Sequence, residues 1–192
     1  HRWAAAIRSD LQKVPVLIVN LTQETDLKKM LQHARHDKRV TFDLDEVVFC
    51  EEDDPAAEPP LPFPHSLFFK DRIRKGVPAL MHYLTKQGYD IWIYTARYYS
   101  FDYLHAYFIR YSVNVTGVVT GVARKTKKME AAQTRIRKMF TEQYPKTLHI
   151  DNHGILLTSK NQKNFQEYML DCQPSDWSAT VLSILKNMEE AQ

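Results

Sequence analysis

Hydrophobic residues in this 192-residue chain form short runs that alternate with amphipathic stretches. Runs rich in Val, Ile, Phe and Tyr, bounded by polar residues, predict buried strands. These runs are VPVLIVNL (14–21), RVTFDL (39–44), DIWIYT (90–95), VNVTGVV (113–119) and KTLHID (146–151). Helical spacing of apolar residues appears at 3–12, 22–37, 70–88, 100–111, 129–140 and 174–192. Strands that alternate with helices predict a three-layer α/β/α sandwich around a mostly parallel sheet.

Turn and capping residues suggest where several of these elements begin and end. Thr22 is a candidate N-cap for the second helix. Gly88 is a C-terminal stop for the helix at 70–88, and Pro78 offers an alternative start for it. The acidic, proline-rich stretch at 50–66 cannot form a packed helix or a central strand, so it predicts an exposed flap.

The length of the chain favours one domain with a real core, covering residues 1–192. In that domain, residues 1–38 are predicted to form an N-terminal α-β-α extension that adds to the sheet. The flap at 50–66 is too short to be a cap domain.

Composition narrows the function only slightly. The formal charge of +3 is small beside 26 basic and 23 acidic residues, so global charge identifies no partner. The basic residues at 125–138 predict a solvated helix face, and no nucleic-acid partner is expected.

The cysteine pattern and hydropathy suggest a compartment. Cys50 and Cys172 form no metal-binding or disulfide pattern, which favours the cytoplasm or another reducing compartment. No apolar run approaches the roughly 18 residues that a membrane span needs. The chain begins at His1, so an anchor or targeting segment before it remains open.

Polar residues with useful chemistry stand at the ends of three predicted strands. Asp43 and Asp45 follow one strand, Thr95 follows another within YTA, and Asp151-Asn152 follows a third. Ligands of open parallel sheets bind beyond the carboxyl ends of the strands. The three strand ends are therefore expected to converge on one pocket.

These residues resemble the motifs of the haloacid dehalogenase superfamily. Asp43, Asp45, Val47, Thr95 and Asp151 match its strand-end motifs in order and spacing over roughly residues 39–155. DLDEV, YTA and IDNHG resemble the DLDET, FTA and LDNSP of one capless branch. That branch contains the RNA polymerase II carboxy-terminal-domain phosphatases, their small relatives and an inactive mitochondrial import receptor. Val47, His153-Gly154 and the short acidic flap depart from the usual pattern of this branch.

The resemblance implies a Mg²⁺-dependent phosphatase. Asp43 would attack phosphorus and form an aspartyl-phosphate, and Asp45 would act as general acid and base. Mg²⁺ would be bound by Asp43, the Asp45 backbone carbonyl, and Asp151 or Asn152.

Other residues would bind the phosphoryl group. Thr95 would bind a phosphoryl oxygen together with Ala96 and Arg97, although Arg97 could instead pair with an acidic neighbour. Lys125 or Lys128 would neutralise the charge of the transition state, although the spacing typical of the capless branch would place this residue nearer Arg135 or Lys138.

Members of this superfamily that lack a cap domain tend to act on bulky substrates. Phosphoserine or phosphothreonine on a protein is therefore the first expected substrate. A capless phosphatase acting on a sugar or nucleotide phosphate is the enzymatic alternative. A catalytically inactive module that keeps the fold for protein interaction is the alternative from another class.

Overall fold

The computed structural model describes residues 22, 24–45, 47–51, 53–97, 99–120, 135–136, 138–151, 153–159, 166–170 and 174–190. Its central sheet contains six strands in the spatial order β5-β4-β1-β6-β7-β8. They are β1 (Lys38–Asp43), β4 (Tyr89–Thr95), β5 (Val115–Thr120), β6 (Lys146–Ile150), β7 (Gly154–Ser159) and β8 (Gln166–Met169). A separate hairpin pairs β2 (Phe49–Cys50) with β3 (Arg72–Ile73).

Strand direction within the sheet places the polar strand ends together. β5, β4, β1 and β6 pair in parallel, and β7 and β8 pair antiparallel at one edge. The carboxyl ends of β4, β1 and β6 therefore lie side by side, because these strands are direct neighbours that run the same way.

Helices cover both faces of the sheet, which makes the predicted three-layer α/β sandwich. On one face, α2 (Val77–Lys86), α3 (Phe101–Ile109) and α4 (Trp177–Glu190) contribute Leu80, Leu104 and Val181 to the main core. On the other face, α1 (Glu24–Leu31) and the helical segment 138–143 form a smaller core around the buried Trp92.

Two glycines are required by the local geometry. Gly88, which follows the C-cap residue Gln87 of α2, has a φ of +78°, and this left-handed conformation ends the helix as predicted. Gly117 lies in β5 against the ring of Trp92, and a Cβ there would come within 2.4 Å of that ring. At this position the ring of Trp92 in the smaller core therefore packs directly against the backbone of β5.

The segment between β1 and α2 contains the flap predicted at 50–66, and the pairing of β2 with β3 closes its base. Most of the described flap residues lack regular structure, except for a short 3-10 helix at His65–Leu67. Backbone bonds from Glu58 to Ile73 and from Lys75 to Ala56 hold it against the hairpin. Its prolines and acidic residues explain the irregular chain, because proline cannot donate a backbone hydrogen bond.

Several predicted elements differ from the structure. The helix predicted at 22–37 is shorter, and Thr22 bonds to Thr120 at the end of β5 instead of capping it. The helix predicted at 70–88 begins at Val77, with Pro78 in its first turn, because Arg72–Ile73 pairs with β2. The hairpin of β7 and β8 was not predicted. The helix at 3–12 and the strand at 14–21 lie outside the described residues.

None of the described helices is long and apolar enough to cross a membrane.

Candidate functional site

The predicted site residues that the structure describes lie at one edge of the sheet. Asp43 ends β1, Thr95 ends β4, and Asp151 follows β6. They line one open cleft together with Asp45 and Ala96, and the cavity has a volume of about 710 Å³. The convergence expected from parallel neighbouring strands is therefore present.

The carboxylate of Asp45 is held by three donors from the loop that follows β4. Its Oδ2 accepts hydrogen bonds from the Thr95 hydroxyl at 2.9 Å and the Ala96 backbone N–H at 3.1 Å. Its Oδ1 lies 3.2 Å from Nε of Arg97. We call these three donors, from Thr95, Ala96 and Arg97, the anion nest.

The loop conformation sets the orientation of the nest. The backbone N–H of Arg97 donates to the Thr95 hydroxyl oxygen at 3.0 Å, which turns the hydroxyl hydrogen toward Asp45. Ser100 then caps α3 by accepting from the backbone N–H of Tyr103. The loop is thus held at both ends by hydrogen bonds within the chain.

Asp43 and Asp151 present carboxylates of similar local geometry. One oxygen of Asp43 accepts the backbone N–H of Asp45 at 3.3 Å, and one oxygen of Asp151 accepts that of His153 at 2.7 Å. Both side chains are exposed at the cleft. These turns orient two hard oxygen donors at adjacent strand ends, and Mg²⁺ prefers such donors.

The metal prediction can be compared with this donor set. Nowhere in the described part of the chain are three His, Cys, Asp or Glu side chains grouped closely enough to hold a metal ion. The predicted set needs only Asp43, Asp151 and the backbone carbonyl of Asp45, and its fourth member, Asn152, lies outside the described residues. The chemistry of the described donors fits Mg²⁺.

The basic residues after β5 are only partly described. Lys125 and Lys128, the two candidates for the phosphate-binding lysine, lie outside the described residues. Farther along, Arg135 lies 3.7 Å from Glu24 and Lys138 lies 3.8 Å from Glu142, and both basic side chains are exposed. These two residues form surface ion pairs, away from the cleft lining.

Sequence reasoning missed the floor of the cleft. Thr41, Tyr94, Val119, His149 and Leu156 line it, and three of them sit one or two residues before a predicted strand-end residue. The ring Nδ1 of His149 shares a hydrogen bond with the Thr41 hydroxyl. Burial, together with the nearby charge of Arg39, lowers the pKa of His149 to about 4, so the imidazole is neutral at neutral pH. The period of two along each strand could have identified Thr41 and His149, which lie two residues before Asp43 and Asp151.

A second cavity of about 340 Å³ adjoins the site and shares Asp45 and Arg97 with it. Asp71, on its wall, accepts hydrogen bonds from the hydroxyls of Tyr99 at 3.0 Å and Tyr103 at 2.7 Å. Burial and the Asp71 carboxylate raise the pKa of Tyr99 to about 12, so this phenol stays protonated as a donor. Asp71, which lies between the flap and β3, is thereby bound to the loop that follows the nest and to the first turn of α3.

Comparison with protein-family models, curated proteins and solved structures found no match. The function is therefore argued from the geometry of the site.

Proposed function

We propose that the protein is a Mg²⁺-dependent phosphatase of the haloacid dehalogenase type, which hydrolyses phosphomonoesters through an aspartyl-phosphate on Asp43. The observation that carries the proposal is the anion nest, which already binds a carboxylate in the cleft beside Asp43. Phosphoryl oxygens also accept hydrogen bonds from these three kinds of donor: a hydroxyl, a backbone N–H and a guanidinium. The bound Asp45 carboxylate thus marks an anion site next to a potential nucleophile.

In the first step, an oxygen of Asp43 attacks phosphorus and forms a new P–O bond while the P–O bond to the leaving group breaks. The phosphoryl group takes the donors of Thr95, Ala96 and Arg97, which displaces the Asp45 carboxyl from the nest. Once displaced, the Asp45 carboxylate takes up a proton from solvent and donates it to the leaving oxygen. The alcohol product leaves neutral.

In the second step, the Asp45 carboxylate takes a proton from water as the water oxygen attacks phosphorus. The P–O bond to Asp43 breaks, inorganic phosphate is released, and the Asp43 carboxylate is regenerated. The protonated Asp45 is then ready for another cycle. The mechanism needs one carboxylate as the nucleophile and a second as the acid and base, which explains why Asp43 and Asp45 both stand at this strand end.

Asp43, Asp151 and the backbone carbonyl of Asp45 would hold the magnesium ion, with Asn152 as a further ligand. When bound, Mg²⁺ offsets the repulsion between the attacking carboxylate and the phosphate dianion. Lys125 or Lys128 remains the candidate for the remaining positive charge. Thr95 is 6% exposed, and the backbone N–H of Arg97 orients its hydroxyl.

The test is hydrolysis of para-nitrophenyl phosphate by the parent protein and by Asp43→Asn, each with Mg²⁺ and with EDTA. We expect turnover that requires the metal and that the substitution abolishes, because the amide cannot form the acyl phosphate. A phosphoserine peptide serves as a second substrate, since a selective phosphatase can reject the nitrophenyl ester. Turnover that survives in Asp43→Asn, or its absence on every substrate from a folded parent, contradicts the proposal.

A non-catalytic interaction module is the second candidate. It is favoured by the flap and the two residues that follow it, where Phe63, Leu67 and Phe68 are 79%, 58% and 71% exposed. Exposed aromatic side chains in one short segment are typical of protein interaction surfaces. An interaction module has no need for a metal, so Mg²⁺ binding that is lost in Asp43→Asn separates the two candidates.

A further inference from the structure

The cleft continues from the strand ends onto one face of the sheet. In the parallel register Asp43 pairs with Tyr94, and Thr41 pairs with His149. Paired residues of adjacent strands project to the same face, and the strands lie about 4.8 Å apart. Tyr94 therefore stands beside the proposed nucleophile, on the face that forms the floor of the cleft.

The buried Arg39 determines the hydrogen-bonding role of Tyr94. Its Nη1 donates to the Tyr94 hydroxyl oxygen at 3.3 Å, and its Nε donates to the Thr147 hydroxyl at 3.0 Å. A guanidinium has donors only, so the Tyr94 oxygen must be the acceptor in this contact. The hydroxyl hydrogen of Tyr94 then points away from Arg39, and Tyr94 lines the cleft.

The charge of Arg39 favours an anion at the cleft floor. Arg39 is 8% exposed, and its guanidinium stacks 4.0 Å from the ring centre of Phe140. Within the described ranges, no carboxylate lies within ion-pair distance of it. The buried Asp90 belongs to the same layer, but it accepts its hydrogen bonds from Tyr144 and from residues 35 and 36. Arg39 is connected to the cleft through the Tyr94 hydroxyl, and its positive charge favours an anion beside that hydroxyl.

We infer that Tyr94, supported by Arg39, binds a second acidic group of a small substrate, either a carboxylate or another phosphate, while the phosphomonoester lies at Asp43. This inference rests on the proposed phosphatase function and names its substrate class. A cavity of about 710 Å³ has the size of a small-molecule site. Thr41 and His149 provide further polar atoms on the same floor. Small phosphorylated acids are thereby favoured over phosphoproteins.

The test compares two esters that differ in one group. One is the phosphate ester of β-hydroxypropionic acid, and the other is propyl phosphate, which has a methyl group in place of the carboxylate. We expect the parent to prefer the acid in kcat/KM by roughly ten- to a hundredfold, the usual range for a hydrogen bond to a charged group. In Tyr94→Phe the preference is expected to fall to within about twofold. Tyr168→Phe, on the edge strand β8, is the matched control and keeps the parental preference.

Two results would overturn the inference: equal preference in the parent and in Tyr94→Phe, or faster turnover of a phosphoserine peptide than of the acidic ester. Calorimetric binding of both esters distinguishes this failure from a failure of the phosphatase proposal. If neither ester is hydrolysed, tighter binding of the acidic ester that is lost in Tyr94→Phe still supports the subsite. Equal binding of the two esters, or no binding of either, rejects it.

Discussion

Substitution of Asp45 by asparagine tests whether the anion nest is a phosphate site that the chain itself fills. The asparagine side chain has nearly the same shape, but it lacks the charge and replaces one acceptor oxygen with an NH₂ donor. In the parent, the two carboxylate oxygens take the hydroxyl of Thr95, the N–H of Ala96 and the Nε of Arg97. An amide cannot accept from all three, so the nest is partly released.

The size of the effect follows from these contacts. A hydrogen bond to a charged group contributes about 1.5–3 kcal/mol. The Arg97 side chain is 70% exposed, so its ion pair adds only about 0–1 kcal/mol. Loss of one such hydrogen bond and of the ion pair should weaken the binding of the side chain at position 45 to the nest by about 2 kcal/mol. Inorganic phosphate should then bind roughly 30-fold more tightly. Turnover should fall about 10²- to 10⁴-fold, because the general acid and base is lost.

The assay combines calorimetric titration of inorganic phosphate with hydrolysis of para-nitrophenyl phosphate, both at the same Mg²⁺ concentration. Asp54→Asn is the matched control, because Asp54 also accepts a backbone N–H, that of Ala56, but lies outside the nest. The control should match the parent in both measurements. Weaker phosphate binding in Asp45→Asn than in the parent would refute the reasoning, since it would mean that Asp45 helps to form the anion site.

Two predictions concern stability, and urea denaturation checks both. Gly117→Ala should lower the free energy of unfolding by about 1–3 kcal/mol, because its Cβ would overlap the ring of Trp92; unchanged stability would show that the ring moves freely. Asp90→Ala should cost at least about 3 kcal/mol, because the buried carboxylate accepts from Tyr144, the His36 ring and two backbone N–H groups. A loss below about 1 kcal/mol would mean that water replaces these contacts.

Much of the architecture was predictable from local patterns. The runs at 39–44, 90–95, 113–119 and 146–151 became strands within one or two residues of the predicted bounds. In these runs either most of the residues or about every second residue is buried. The reason is that only apolar side chains, or polar side chains with a partner, fit in the interior of a sheet. The hydrophobic pattern was weaker in GILLTS and QEYM, which form β7 and β8. These two strands pair antiparallel at the edge of the sheet, and one of their faces is partly exposed.

Long-range pairing explains the elements that were predicted wrongly. Arg72 and Ile73 fit a helical pattern with the residues that follow, but backbone pairing with Phe49 and Cys50 makes them a strand. Thr22 is a good N-cap residue, yet its hydroxyl oxygen accepts from Thr120, which is 98 residues away. Local propensity is worth less than 1 kcal/mol per residue, so a single long-range contact can override it.

The sequence by itself determined the alternation of strands and helices and the positions of Asp43, Asp45, Thr95 and Asp151 at strand ends, because period and turn chemistry are local properties. Only the tertiary structure decided that Asp45 fills the nest and that Arg39 donates a hydrogen bond to the Tyr94 hydroxyl oxygen. These contacts join residues about 50 positions apart in the chain. They depend on which strands are neighbours and on their register, and no local pattern encodes that geometry.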